Sequence, residues 1–206
     1  MCDLNALTNV YWKVMRNQEL DKMTATMTHS LAANTPVAYT LINGLMFNIT
    51  WFAIVTTESV VVAPILAALH LLIHFALMGK GFIELKVVVQ IAMIGLVLDQ
   101  LLFYVGVFNV GGLSALPPLW LSCIWPVLAT TILHVFARLQ SRYFLASVLG
   151  AVGGALSFIA GTELTSVAFE SDLFGPPIIG ALWAVLFPLL LQIPRLNGYQ
   201  RDATHA

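Results

Sequence analysis

The chain has 206 residues, 59% of them hydrophobic and only 9% charged, with a formal net charge of −1. Soluble domains carry about 25% charged residues, so this sequence lacks the polar side chains to cover a water-exposed globule. It also lacks the basic stripe that nucleic-acid binding requires. The two cysteines, Cys2 and Cys123, support no disulfide framework. The expectation is an integral membrane protein whose first partner is the lipid bilayer.

Residues 1–36 form an N-terminal segment unlike the rest. In "LNALTNVYWKVM", Leu4, Leu7, Val10, Tyr11 and Val14 recur at helical spacing, which fits a short amphipathic helix on the inner leaflet. The alternatives are a frayed tail, or a start codon assigned too early with Met23 or Met27 as the real beginning. Six apolar runs follow: Val37 to Thr56, Ser59 to Met78, Val87 to Phe108, Ala115 to Ala137, Phe144 to Gly161 and Pro177 to Ile193. Their lengths suit a bilayer, the fifth being short and rich in glycine. Gly79 with Gly81, Gly111 with Gly112, and Gly175 with Pro176 separate runs from one another. The fold class expected is all-α, a six-helix transmembrane bundle over residues 37–194 with a polar tail over 195–206.

Charge orients the bundle. Lys13, Arg16 and Lys22 precede the first run, and Lys80 and Lys86 follow the second. Arg138 and Arg142 follow the fourth, and Arg195 and Arg201 the sixth. Six spans put all of these on one face, while the opposite loops carry Glu58, Glu163, Glu170 and Asp172. By the positive-inside rule both termini are cytoplasmic.

Polar residues inside the runs mark the interior. Asp99 stands alone in "AMIGLVLDQLLFYVGV", and a carboxylate at a helix centre costs about 2.5–3.5 kcal/mol on insertion scales. Ala92, Gly95 and Gly106 share its stripe, and small residues let a neighbouring helix approach. Asp99 therefore points into the bundle. In "AALHLLIH", His70 and His74 stand one turn apart on a face with Ala63 and Ala67, and in "ATTILH" Thr130 and Thr131 precede His134 by about one turn. The first run supplies Asn43, Asn48 and Trp51. Asn48 and Trp51 share a face with Gly44, whereas Asn43 is rotated roughly 140° from Asn48 at 3.6 residues per turn.

Counting ~1.5 Å per residue from the cytoplasmic ends puts Asn48, His70 and Asp99 roughly 13–18 Å deep. His74, Asn43 and Thr131 fall at about 8–9 Å, with His134 and Gln90 one turn shallower. Polar groups from four helices thus stack in two layers. The candidate catalytic residues are Asp99, His70, His74 and His134. Asn48, Trp51, Trp125, Thr130 and Thr131 are the candidate substrate-binding residues around them. The runs contain no carboxylate-rich H-x-x-x-H series of the diiron membrane oxygenase kind, so no metal ligand set is assigned and no cofactor is identified. A hydrogen-bonded structural network explains the same residues without chemistry. Trp120 reads as an interfacial anchor and Trp125 as core. In the fifth run, Gly150 and Gly154 form a close-packing stripe, within the monomer or across a homodimer.

The run "PLWLSCIWPVLATTILHVFARL" followed by "LGAVGGALSFIAGTEL" resembles a family of small bacterial inner-membrane proteins known only as a domain of unknown function. The resemblance spans Tyr39 to Pro194 and includes the Trp51 region and "GLVLDQLL". It carries Trp51, Asp99, Trp120, Trp125, Thr130, Thr131, His134, Gly150, Gly153 and Gly154 onto this chain. Ala155 stands where relatives commonly have proline, which leaves a kink in the fifth helix unsupported. The resemblance implies genes placed beside cyclopropane-fatty-acyl synthase and other lipid-modifying enzymes. The resemblance thus implies a role in membrane-lipid modification or envelope stress, with those enzymes as partners, and names no activity.

Three functions remain open. One is a lipid-linked enzyme or enzyme partner, with the Asp/His groups around a cavity, although no established catalytic motif is present. Another is a small proton-coupled transporter using Asp99 and a histidine as a relay, although residues 37–108 and 115–193 show no internal repeat. The third is a noncatalytic scaffold. A C-terminal reporter fusion tests the topology: six spans predict a fluorescent, phosphatase-negative fusion, and periplasmic phosphatase activity would overturn them.

Overall fold

A computed structural model describes Glu19, residues 37–111 and residues 116–198. The amphipathic stripe expected within residues 1–36 and the tail beyond Gly198 lie outside the described residues. The chain divides into two units, Met1–Thr40 and Leu41–Ala206. Residues 37–40 of the first open helix α1, and the other elements belong wholly to the second.

Helices dominate because each satisfies its backbone N–H and C=O groups within one segment, the condition that a lipid environment imposes. Helix α1 runs Val37–Thr57, α2 Val62–Leu77, α3 Phe82–Tyr104, α4 Leu119–Ser122 and α5 Ile124–Ala129. Then come α6, Tyr143–Leu164, and α7, Gly175–Leu190, which continues through a turn into α8, Ile193–Leu196. Four helices are long and apolar enough to cross a membrane: α1, α3, α6 and the α7–α8 unit. Helix α2 is shorter, about 24 Å at 1.5 Å per residue. Leu41, Leu72, Tyr104 and Phe144 are 67–84% exposed, an apolar outer surface of the kind that faces lipid.

Two boundaries move with consequence. Helix α3 starts at Phe82, where the apolar run suggests Val87, and so takes Glu84 into its first turn. Helix α6 spans 22 residues without interruption through Ala155, longer than its glycine content suggests.

The fourth run, expected as one helix from Ala115 to Ala137, is instead broken. Only Leu119–Ser122 and Ile124–Ala129 are α-helical, and a 3-10 turn follows at Ala137–Leu139. Pro126 removes a backbone donor inside this stretch. Beyond it the N–H groups of Thr131, Ile132 and His134 bond three residues back, to Leu128, Ala129 and Thr131. The hydroxyls of Thr130 and Thr131 bond the carbonyls of Val127 and Leu128 at 2.8 and 2.6 Å, drawing these residues out of α-helical pairing. Val127 and Ala129 to Leu133 are at most 2% exposed. Irregular backbone at this depth is sustained because protein surrounds it.

Glycines set the closest contacts. A Cβ on Gly95 would lie 1.9 Å from Trp125 Cδ2, which brings α3 onto α5. One on Gly150 would lie 2.5 Å from the Trp183 carbonyl oxygen, and one on Gly154 2.3 Å from Trp183 Cγ. The Gly150/Gly154 stripe is therefore occupied by α7 of the same chain. At the end carrying Glu58 and Glu170, β1 (Phe108–Asn109) pairs antiparallel with β2 (Ala168–Phe169). Phe108 stacks on Phe158 and Phe169 with ring centroids 5.4 and 5.0 Å apart. The Glu58 carboxylate accepts hydrogen bonds from the Ser166 backbone N–H and hydroxyl.

Gly154→Leu is expected to destabilise the purified protein by about 1–3 kcal/mol through overpacking, read as a lower thermal midpoint. Gly153→Ala should not lower it, because a Cβ there meets nothing within 4 Å. Equal midpoints for the two variants would refute the α6–α7 approach.

Candidate functional site

Most polar residues of the interior fall into three clusters. The first is centred on Glu84, 1% exposed in the opening turn of α3. Its Oε1 accepts from His74 Nε2 at 2.8 Å and from His134 Nε2 at 2.9 Å. Its Oε2 accepts the Lys80 backbone N–H at 2.6 Å. His74 comes from the last turn of α2 and His134 from the irregular stretch after α5, with ring centroids 5.0 Å apart. Asn43 Nδ2 stands 3.2 Å from His74 Nδ1. With Nε2–H donating to the carboxylate, Nδ1 is the ring nitrogen that faces the Asn43 amide.

His70 forms the second cluster one turn away, its ring parallel to that of His74 at 6.4 Å. Nδ1 lies 3.0 Å from Thr50 Oγ1 and Nε2 lies 3.1 Å from Thr130 Oγ1. The Thr130 hydroxyl donates to Val127 and so accepts from His70 Nε2–H. Both ring nitrogens are thereby satisfied.

Asp99 forms the third. It is 1% exposed, and its Oδ2 accepts from Trp125 Nε1 at 2.9 Å and from Ser122 Oγ at 3.3 Å. The Trp125 ring stacks on Trp183 at 5.8 Å with 2° between the planes. Asp99 also borders an aromatic cleft of about 380 Å³, walled by Phe47 and Trp51 of α1, Trp120 and Trp125, the glycine face of α6, and Trp183 and Phe187 of α7. Gly153 and Ser157 on that face are exposed, and a Cβ on Gly153 or Gly161 would meet nothing within 4 Å. Trp183 Nε1 is buried with no hydrogen-bond partner among the described residues.

Asp99, His70, His74 and His134 are thus all interior, but they do not form one constellation. His74 and His134 meet on Glu84, His70 joins Thr50 and Thr130, and Asp99 sits apart at the cleft. Trp51 and Trp125 line that cleft. Asn48 is exposed and among the described residues bonds only the Gly44 carbonyl, at 2.8 Å, while Asn43 reaches His74. Thr131 is buried and turned to its own backbone. Gln90 faces Asn197 on the outside at 2.7 Å. Trp120, expected as an interfacial anchor, is 3% exposed and belongs to the cleft wall. Glu84 was the residue hidden from sequence reading. Its signal is its register with the buried Ile91 and Gly95 of the same helix, seven and eleven residues on, obscured by flanking Lys80 and Lys86.

Four membrane-length apolar helices enclosing paired polar groups define the class, a helical membrane protein. Residues 40–189 match the family described as "Protein of unknown function (DUF2878)", and the chain belongs to that family. Nothing among curated proteins and nothing among solved structures matches it.

Trp125→Phe keeps the ring stack but removes the Nε1–H that reaches Asp99. The expected cost is about 1–3 kcal/mol, that of a buried polar group losing its partner. Thermal melts in one detergent would read it, and a midpoint equal to wild type would refute the bond.

Proposed function

We propose that this chain is a multi-pass inner-membrane protein of six spans whose cleft receives a fatty-acyl chain of a membrane lipid, in the service of membrane-lipid modification. Helix α2 and the broken α4–α5 segment supply the two shorter spans, and both termini are cytoplasmic. The observation that carries the reading is the cleft itself. Its volume of about 380 Å³ falls within the ~300–1,000 Å³ of small-molecule sites. Its walls are aromatic rings and bare glycine backbone, surfaces suited to a flexible apolar chain. Two polar groups serve such a ligand. Trp183 Nε1–H offers a donor to an ester or carboxyl oxygen, and Asp99 places the cleft's carboxyl group beside the acyl chain.

Tryptophan fluorescence tests acyl binding directly. In a Trp12→Phe background every remaining tryptophan, Trp51, Trp120, Trp125 and Trp183, lines the cleft. Fatty acid brominated along its chain should quench that emission saturably, and Gly153→Leu combined with Gly161→Leu, which fills the cleft, should weaken the quenching severalfold. Quenching that never saturates, or that ignores the filled cleft, would refute acyl binding.

Asp99→Asn separates chemistry from packing. The amide still accepts from Trp125, so the variant should fold at wild-type levels and keep its brominated-lipid quenching. In cells lacking the native gene it should fail to restore the fatty-acyl profile that wild type restores. Full restoration by a normally folded Asp99→Asn protein would leave the scaffold reading in front.

A further inference from the structure

We propose that Glu84, His74 and His134 bind one divalent transition-metal ion of the zinc or iron(II) class, at a site separate from the acyl cleft. Three elements bring the ligands together: the last turn of α2, the first turn of α3 and the irregular stretch after α5. One ligand atom from each residue lies within 4.8 Å of the others, and both Nε2 atoms already converge on the same carboxylate oxygen at 2.8 and 2.9 Å. Two imidazoles and one carboxylate are a donor set that holds zinc or iron(II) with coordination positions left open. Tetrahedral ligands at ~2.0–2.1 Å from zinc stand about 3.3 Å apart, so each Nε2 need part from Oε1 by only about half an ångström.

The surroundings fit as well. Metal-bound carboxylates and histidines are held by outer hydrogen bonds. The Lys80 N–H holds Glu84 Oε2, the oxygen the histidines leave alone. Asn43 stands at His74 Nδ1, and its Oδ1 is buried with no partner among the described residues. A half-turn of that amide presents Oδ1 to a proton on Nδ1, the tautomer that frees Nε2 for a metal.

The test uses the full chain, without a polyhistidine tag, in lipid nanodiscs stripped with chelator. Zinc should rebind at one ion per chain by elemental analysis, and cobalt(II) should develop the visible bands of a four- or five-coordinate site. Glu84→Gln and His134→Gln should abolish the cobalt spectrum, while His70→Gln, outside the triad, should keep it. Asn43→Leu leaves all three ligands in place and should weaken cobalt binding about 10–100-fold, which keeps the test decisive if a triad variant fails to fold. A wild-type chain that takes up neither ion, or that binds cobalt equally well after Glu84→Gln or Asn43→Leu, would overturn the proposal.

Discussion

Inside an apolar bundle, a backbone group freed from its helix has no water to turn to. This chain meets that constraint in the stretch from Thr130 to Phe136, and the polar interior is arranged around it. Threonine hydroxyls and three-residue backbone bonds take up the freed groups. The chain therefore leaves α-helical pairing while still buried, and there Thr130 meets His70 and His134 meets Glu84. A straight helix over these residues would place them at fixed 100° steps, without the freedom to serve two neighbouring clusters.

The two buried carboxylates are held in different ways. Glu84 has three donors spread over both of its oxygens, two of them imidazoles, in a setting closed by the short α2–α3 connection. Asp99 has two donors on one oxygen and borders open volume. An acid that draws its donors from three segments of the chain ties those segments together. One with a side turned to a cavity can meet something that enters. The indole of Trp125 joins the second case to the aromatic wall, since its N–H reaches Asp99 while its face lies on Trp183.

Much of this was legible in the residues. The apolar class, the inward turn of Asp99 and the burial of His70 and His74 follow from composition, small-residue stripes and helical spacing. The layering of the histidines also emerges, with His70 one turn from the His74 level. Fixed rise and rotation fail where the helix itself fails. The depth of His134 and the setting of Trp120 depend on the break after Ala129, which no hydropathy count reveals because the segment is apolar throughout. Asn43 and Asn48 exchanged places for a related reason. Their angular separation is readable, but which face of α1 meets α2 depends on packing with elements distant in sequence. Glu84 was concealed by its neighbours, since two lysines around a glutamate look like a cytoplasmic loop until the helix is seen to begin at Phe82.

The tie between Glu58 and Ser166 spans 108 residues of chain, and this distance sets an order of events during synthesis. A contact so far apart in sequence carries a loop-closure cost and forms only once its later partner exists. At ~5–20 residues per second, α1 to α3 are in place for about ten seconds before the α6–α7 hairpin emerges. Asp99 has Ser122 and Trp125 soon after its own helix is made, whereas Trp183 arrives near the end. The glycine wall of the cleft is thus a late addition to an assembly already holding its acid. Until the hairpin docks, lipid tails are the nearest filling for the space it will enclose.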